Sequence, residues 1–115
     1  MLPQPRSDVL QGTLDLLVLK LLTLAPQHGW GLSFHLRQHS NEVFDVNQGS
    51  LYPALQRMLR RGWIRSEWKN SDHNRRARYY SITREGERQL ALEREEWQRS
   101  SEAVNRVLRL APQGG

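Results

Sequence analysis

The chain of 115 residues contains no cysteine, which excludes a disulfide framework and any thiolate metal site. It has no apolar run long enough to cross a bilayer. The most apolar stretch, residues 14–25, includes Asp15 and Lys20 and falls short of the ~20 residues a spanning helix needs. Residues 1–6 lack the basic start and apolar run of a signal peptide. No glycine-rich phosphate loop, nucleophile elbow or carboxylate pair on an apolar background is present, so nothing supports an enzyme or calls for a cofactor. These absences lead us to expect one soluble, cytoplasmic domain with a modest core.

Lysine is scarce, with two residues against fifteen arginines. The net charge of +5 is unevenly placed. Arg57, Arg60, Arg61, Arg65, Lys69, Arg75, Arg76 and Arg78 lie close together and are opposed only by Glu67 and Asp72. That local excess is larger than the charge of the whole chain, so the partner it suggests is a polyanion. Arginine adds a planar fork that suits phosphate and guanine, where lysine offers a point charge.

Periodicity predicts the order helix, helix, helix, hairpin, helix. The first helix is expected over residues 13–24 with Thr13 as N-cap. Its broad apolar face holds Leu14, Leu17, Val18, Leu21, Leu22 and Ala25, while Leu16 and Leu19 lie opposite, among Asp15, Lys20 and Thr23. A helix apolar on two sides needs two burial partners, and in a chain this small the second is expected to be another subunit. The second helix spans 29–39, with Trp30, Leu32, Phe34 and Leu36 available for packing.

The third helix has the clearest pattern. Leu51, Tyr52, Leu55, Met58 and Leu59 fall on one side, and Ser50, Gln56, Arg57, Arg60 and Arg61 on the other. Pro53 favours a start with Ser50 as N-cap, the alternative being a distorted first turn from Asn47. Gly62 stops the helix. Strands are expected over 63–69 and 77–83 around a polar, basic tip at 70–76. The last helix begins at the N-cap Thr83 and runs to about residue 109, with a thin seam of Leu90, Trp97, Val104 and Leu108.

We therefore expect a mainly α protein with a small β-hairpin (α+β). A winged helix-turn-helix domain spans 10–83 and a C-terminal dimerisation helix spans 84–110, with a flexible arm at 1–9 and a flexible tail at 111–115. The expected partner is double-stranded DNA. Candidate contacts are Gln48, Ser50 and Gln56 for base edges, with Arg57, Arg60, Arg61, Arg75, Arg76 and Arg78 for phosphate or guanine. His28 and Gly29 open the second helix, where free N–H groups favour a phosphate. A capping His28 is an equally weighted alternative. The Tyr52 ring is expected to pack in the core, with its hydroxyl in reach of a phosphate. Leu16, Leu19, Leu90, Trp97, Val104 and Leu108 are the dimer candidates. His35 and His39 have metal-binding spacing but no cysteine or acidic companion, so they are expected to be surface histidines. An RNA-binding or architectural protein and a protein-interaction module are the competing functions.

Three motifs resemble the PadR family of transcriptional regulators. They are His28-Gly29-Trp30, then Gly49-Ser50-Leu51-Tyr52-Pro53-Ala54-Leu55-Gln56-Arg57-Met58, then Arg78-Tyr79-Tyr80-Ser81-Ile82-Thr83-Arg84-Glu85-Gly86. The chain departs from the pattern at Trp30, where the family has Tyr, and at Gly31, where a larger residue is common. It also departs at the tip, His73-Asn74-Arg75-Arg76-Ala77, where the family has Gly-Arg-Pro-Arg. The resemblance implies a homodimer joined through the first and last helices, most often a repressor, with a single C-terminal helix as in shorter members. Some members of that family bind planar aromatic effectors at the dimer interface, and Trp97 is the candidate contact for one here, the alternative being that it only anchors the seam.

Overall fold

The computed structural model describes residues 8–113, with side chains from residue 12 onward. Seven elements follow in order: α1 (Asp8–Leu24), β1 (Gln27–His28), α2 (Gly29–His39), α3 (Gln48–Arg60), β2 (Ile64–Asn70), β3 (Arg76–Ile82) and α4 (Arg84–Leu108). The sequence order is confirmed, with β1 added. This short strand pairs antiparallel with β3 through Gln27↔Tyr80 and His28↔Tyr79, giving a sheet of order β1-β3-β2. Two residues are too few for a periodicity signal.

The core lies where α1, α2 and α3 meet the sheet. From α3 it takes Leu51, Ala54, Leu55 and Met58, at helical spacing. From α2 it takes Leu32 and Leu36, and from α1 Val18, Leu19 and Leu22. Ile64, Tyr80 and Leu90 complete it. Four sequence expectations are corrected here. Leu19 is fully buried within its own subunit, and Leu90 is also buried, so neither is a dimer contact. Trp30 and Phe34 are exposed instead of packed, because the inward face of α2 belongs to Leu32 and Leu36.

Helix ends explain two further differences. The α1 helix already includes Asp8 and Val9, so Thr13 is an interior residue and the expected arm is shorter. Most of that arm, residues 1–7, lies outside the described residues. The α3 helix is capped by Asn47, not Ser50: the Asn47 side-chain oxygen accepts the Ser50 backbone N–H at 2.9 Å. Pro53 is thus inside the helix. It lacks the N–H that would reach the Gly49 carbonyl, one turn earlier in the helix.

The junction into α4 is tight. Gly62 has φ +76° and ends α3 with Trp63 N–H donating to the Met58 carbonyl at 3.0 Å. Thr83 donates its hydroxyl to the Gly62 carbonyl at 2.6 Å and its N–H to the Trp63 carbonyl at 3.0 Å. The same hydroxyl oxygen accepts Gly86 N–H at 3.0 Å, the expected N-cap. Gly86 approaches so closely that a Cβ there would stand 2.0 Å from the Trp63 carbonyl oxygen. Glycine is therefore required by contact and not by backbone angle. Beyond Glu93, α4 is largely exposed and leaves the body of the domain as a leg, over a total helix length of about 37 Å.

Candidate nucleic-acid interface

A cleft of about 830 Å³ separates the start of α2 and α3 from the hairpin. Its walls include His28, Gly29, Trp30, Gln48 and Tyr52 on the helix side, and Arg75, Arg76 and Arg78 on the hairpin side. Most of the expected contacts from three separate segments therefore converge on one face.

The hairpin is held open at a fixed angle by local chemistry. Ser71 N–H donates to the Arg75 carbonyl at 2.7 Å, and Asn74 turns the chain at φ 59°, a conformation asparagine tolerates well. β2 and β3 pair without interruption from Ile64↔Ile82 to Asn70↔Arg76. Arg75 and Arg76 are exposed at the tip. The Arg76 guanidinium lies 5.9 Å from the Trp68 ring and Lys69 lies 4.6 Å from the Tyr79 ring, contacts that steer the cations without neutralising them. Arg78 is half-buried and donates from Nε to the Ser66 hydroxyl at 2.9 Å, which fixes its stem across the strands.

The helix side is more committed to internal bonds than the sequence suggested. Gln48 donates from Nε2 to the Ser33 hydroxyl at 2.7 Å and to the Gly29 carbonyl at 3.1 Å. Those bonds tie α3 to α2 and occupy its donor, so it is not a free base reader. The side chain of Gln56 is partly covered, with its amide nitrogen enclosed and without a hydrogen-bond partner. His28 takes the capping role: its Nδ1 accepts Gly31 N–H at 3.0 Å while its ring meets Tyr79 edge-on at 5.2 Å. Tyr52 is 54% exposed in the cleft and not packed in the core, since the inward stripe runs through Leu51, Ala54, Leu55 and Met58. Ser50, Arg60 and Arg61 are exposed. The Arg61 guanidinium sits 5.1 Å from the Trp63 ring.

Arg57 is placed differently from its neighbours. Its Nη2 donates to Asp15 of α1 at 2.5 Å, and its side chain is only 16% exposed. Asp15 itself is 5% exposed. Burial pushes the Asp15 carboxyl above its usual range, an effect that Arg57 offsets only partly. Glu93 of α4 adjoins the same group: burial raises its carboxyl too, while Asp15, Arg57 and Arg61 act on its charge. Gln89 donates to Glu93 at 2.8 Å. Arg57 thus belongs to a charge cluster behind α3 and does not line the cleft between the helices and the hairpin. In the sequence Asp15 shares a side of α1 with Lys20 and Thr23, which hides its inward position. The spacing Asp15, Val18, Leu19, Leu22 is itself a helical stripe, and it is the signal that points Asp15 inward.

On α4, Trp97 is 48% exposed, and Val104, Val107 and Leu108 are exposed beyond it. Leu16 is partly buried against the core. The rings of His35 and His39 stack at 5.7 Å, and no group of three or more metal-ligand residues occurs among the described residues. Among those residues no helix is long and apolar enough to cross a membrane.

Comparison with known proteins places this geometry. A family model for PadR-like transcriptional regulators matches residues 18–92. The structure superposes on a PadR-like transcriptional regulator from Bacillus cereus with a TM-score of 0.77, at 31% identity, covering 91% of this chain and 100% of that one. A transcriptional regulator from Clostridium thermocellum gives a TM-score of 0.78 at 30% identity, covering 87% and 97%. An uncharacterized protein of Lysinibacillus sphaericus is 26% identical over 100 residues, 87% of this chain and 92% of its own. With its basic cleft between helices and hairpin, the chain belongs to the PadR-like family of transcriptional regulators.

Proposed function

We propose that the protein is a homodimeric repressor that reads a pseudo-palindromic operator. In this reading α3 of each protomer enters a major groove, the two grooves lying about 34 Å apart. The observation that carries it is the convergence of exposed Tyr52, Arg75 and Arg76 with Gly29 and half-buried Arg78 around one cleft, while Ser50, Arg60 and Arg61 stand exposed on α3 or at its C-cap. Arginine contacts to phosphate supply affinity, and Ser50 with Tyr52 adds directional contacts near base edges. Repression follows from occupancy, since two filled grooves and their flanking backbone are closed to other proteins.

Dimerisation is supported by the leg. Trp97, Val104 and Leu108 recur at seven and four residues along α4 and are exposed in the single chain, as is expected of a seam that awaits a second helix. Selection from a random duplex pool is the test. It should enrich an inverted repeat with half-sites one helical turn apart, and the free protein should sediment at twice the chain mass. Enrichment of no sequence would replace this reading with that of an architectural protein.

We further propose that Trp97 contacts a planar aromatic effector on that seam. Titration of planar aromatic dyes should quench tryptophan fluorescence in the wild type and lose most of that quenching in Trp97→Ala. Equal quenching in both would remove the effector site.

A further inference from the structure

Trp30 has no role in the core. It is 74% exposed, and it stands in the wall of the cleft that also holds Tyr52, Arg75, Arg76 and Arg78. The inward residues of α2 are Leu32 and Leu36, and a residue two positions before Leu32 points to nearly the opposite side of a helix. A tryptophan is the largest apolar side chain a protein has, and leaving it in water forgoes a burial that a core position would give. Here it is set among cations, far in sequence from the apolar seam of α4.

A surface that is both cationic and aromatic matches a partner that is both anionic and partly apolar. The sugar–phosphate backbone of duplex DNA has that character: phosphate oxygens alternate with the C–H faces of deoxyribose. The indole also carries one N–H donor suited to a phosphate oxygen. We propose that Trp30 packs its ring against the deoxyribose of a strand whose neighbouring phosphates Arg75 and Arg76 hold, making it a DNA-contact residue that fixes the seating of α2 and α3. The inference rests on the operator-binding reading above and adds a contact that is apolar.

That difference is measurable. An arginine–phosphate contact releases counterions and steepens the salt dependence of binding, whereas an aromatic–sugar contact does not. Trp30→Ala should weaken operator binding by about tenfold or more, with the slope of log affinity against log salt unchanged. Trp30→Phe should recover most of that loss, because it keeps a ring. Both variants should melt with the wild type, since the side chain is exposed. Phe should also remove part of the fluorescence change that DNA causes in the wild type, a readout independent of stability. An alanine variant that binds as tightly as wild type overturns the inference while leaving the operator-binding reading intact. A phenylalanine variant as weak as alanine overturns ring packing. A wild type that binds no duplex overturns both.

Discussion

Arg57→Ala should cost the fold about 3 kcal/mol, which for a domain of this size lowers the melting temperature by on the order of 15 °C. The reason lies in what the change leaves behind. Asp15 is 5% exposed and its partner is the Arg57 guanidinium at 2.5 Å. Removing the cation leaves a carboxylate in a low-dielectric site with its charge uncompensated. The pair itself adds little over an apolar replacement, because desolvation of both ions offsets their attraction. Asp15→Leu with Arg57→Met should therefore recover most of the loss.

The pH dependence has a definite sign. The folded-state pKa of Asp15 is already raised by burial, against the pull of Arg57, and loss of Arg57 raises it further. A carboxyl whose folded pKa exceeds its unfolded value contributes stability that is complete below the unfolded pKa of about 4 and declines as pH rises through the folded value. The deficit of Arg57→Ala relative to wild type should thus be small in mild acid and grow toward neutral pH. Thermal melts across a pH series measure it. A variant that melts with the wild type at every pH would show that the cluster carries no stability.

Replacing Arg60, Arg75 and Arg76 together by alanine should reduce operator affinity by at least about a hundredfold at moderate salt, and flatten the salt slope by close to one per arginine in each protomer. All three are exposed, and no salt bridge among the described residues engages them, so the fold should keep its melting temperature. Arg57, in contrast, should change stability and leave the slope largely to its neighbours. Binding measured at several salt concentrations separates the two classes. An unchanged slope in the triple variant would show that neither the end of α3 nor the hairpin tip holds phosphates.

Much of this was legible in the sequence, for physical reasons that can be named. The stripe of α3 was legible at Leu51, Leu55 and Met58, which recur at helical spacing, but not at Tyr52, which is exposed, or Leu59, which is only partly buried. The hairpin followed from two β-rich runs flanking a polar tip, and Thr83 announced α4 by its cap. What failed were decisions that depend on a neighbour. Leu19 and Leu90 looked spare on their own helices and became core residues once α4 was folded back on α1. Trp30 looked like core because apolar aromatics usually are. Gln48 and Arg57 looked free because their partners, Gly29 with Ser33 and Asp15, lie 15 to 42 residues away in sequence. Ser50 looked like a cap because Pro53 is commonest in a first turn, yet the asparagine three residues earlier offered the better acceptor.

The joint between β3 and α4 has no slack. Ile82 ends the strand, Thr83 caps the helix, and Gly86 abuts the Trp63 carbonyl, so the leg starts with its direction already fixed by the reading head. In a dimer joined at the far ends of two such legs, each leg is a lever arm. A small change in the angle at which the legs cross would be magnified over about 37 Å into a shift in the separation of the two recognition helices. Substitutions near Val104 and Leu108 would then alter which half-site spacing the protein accepts, while leaving the chemistry of each half-site untouched.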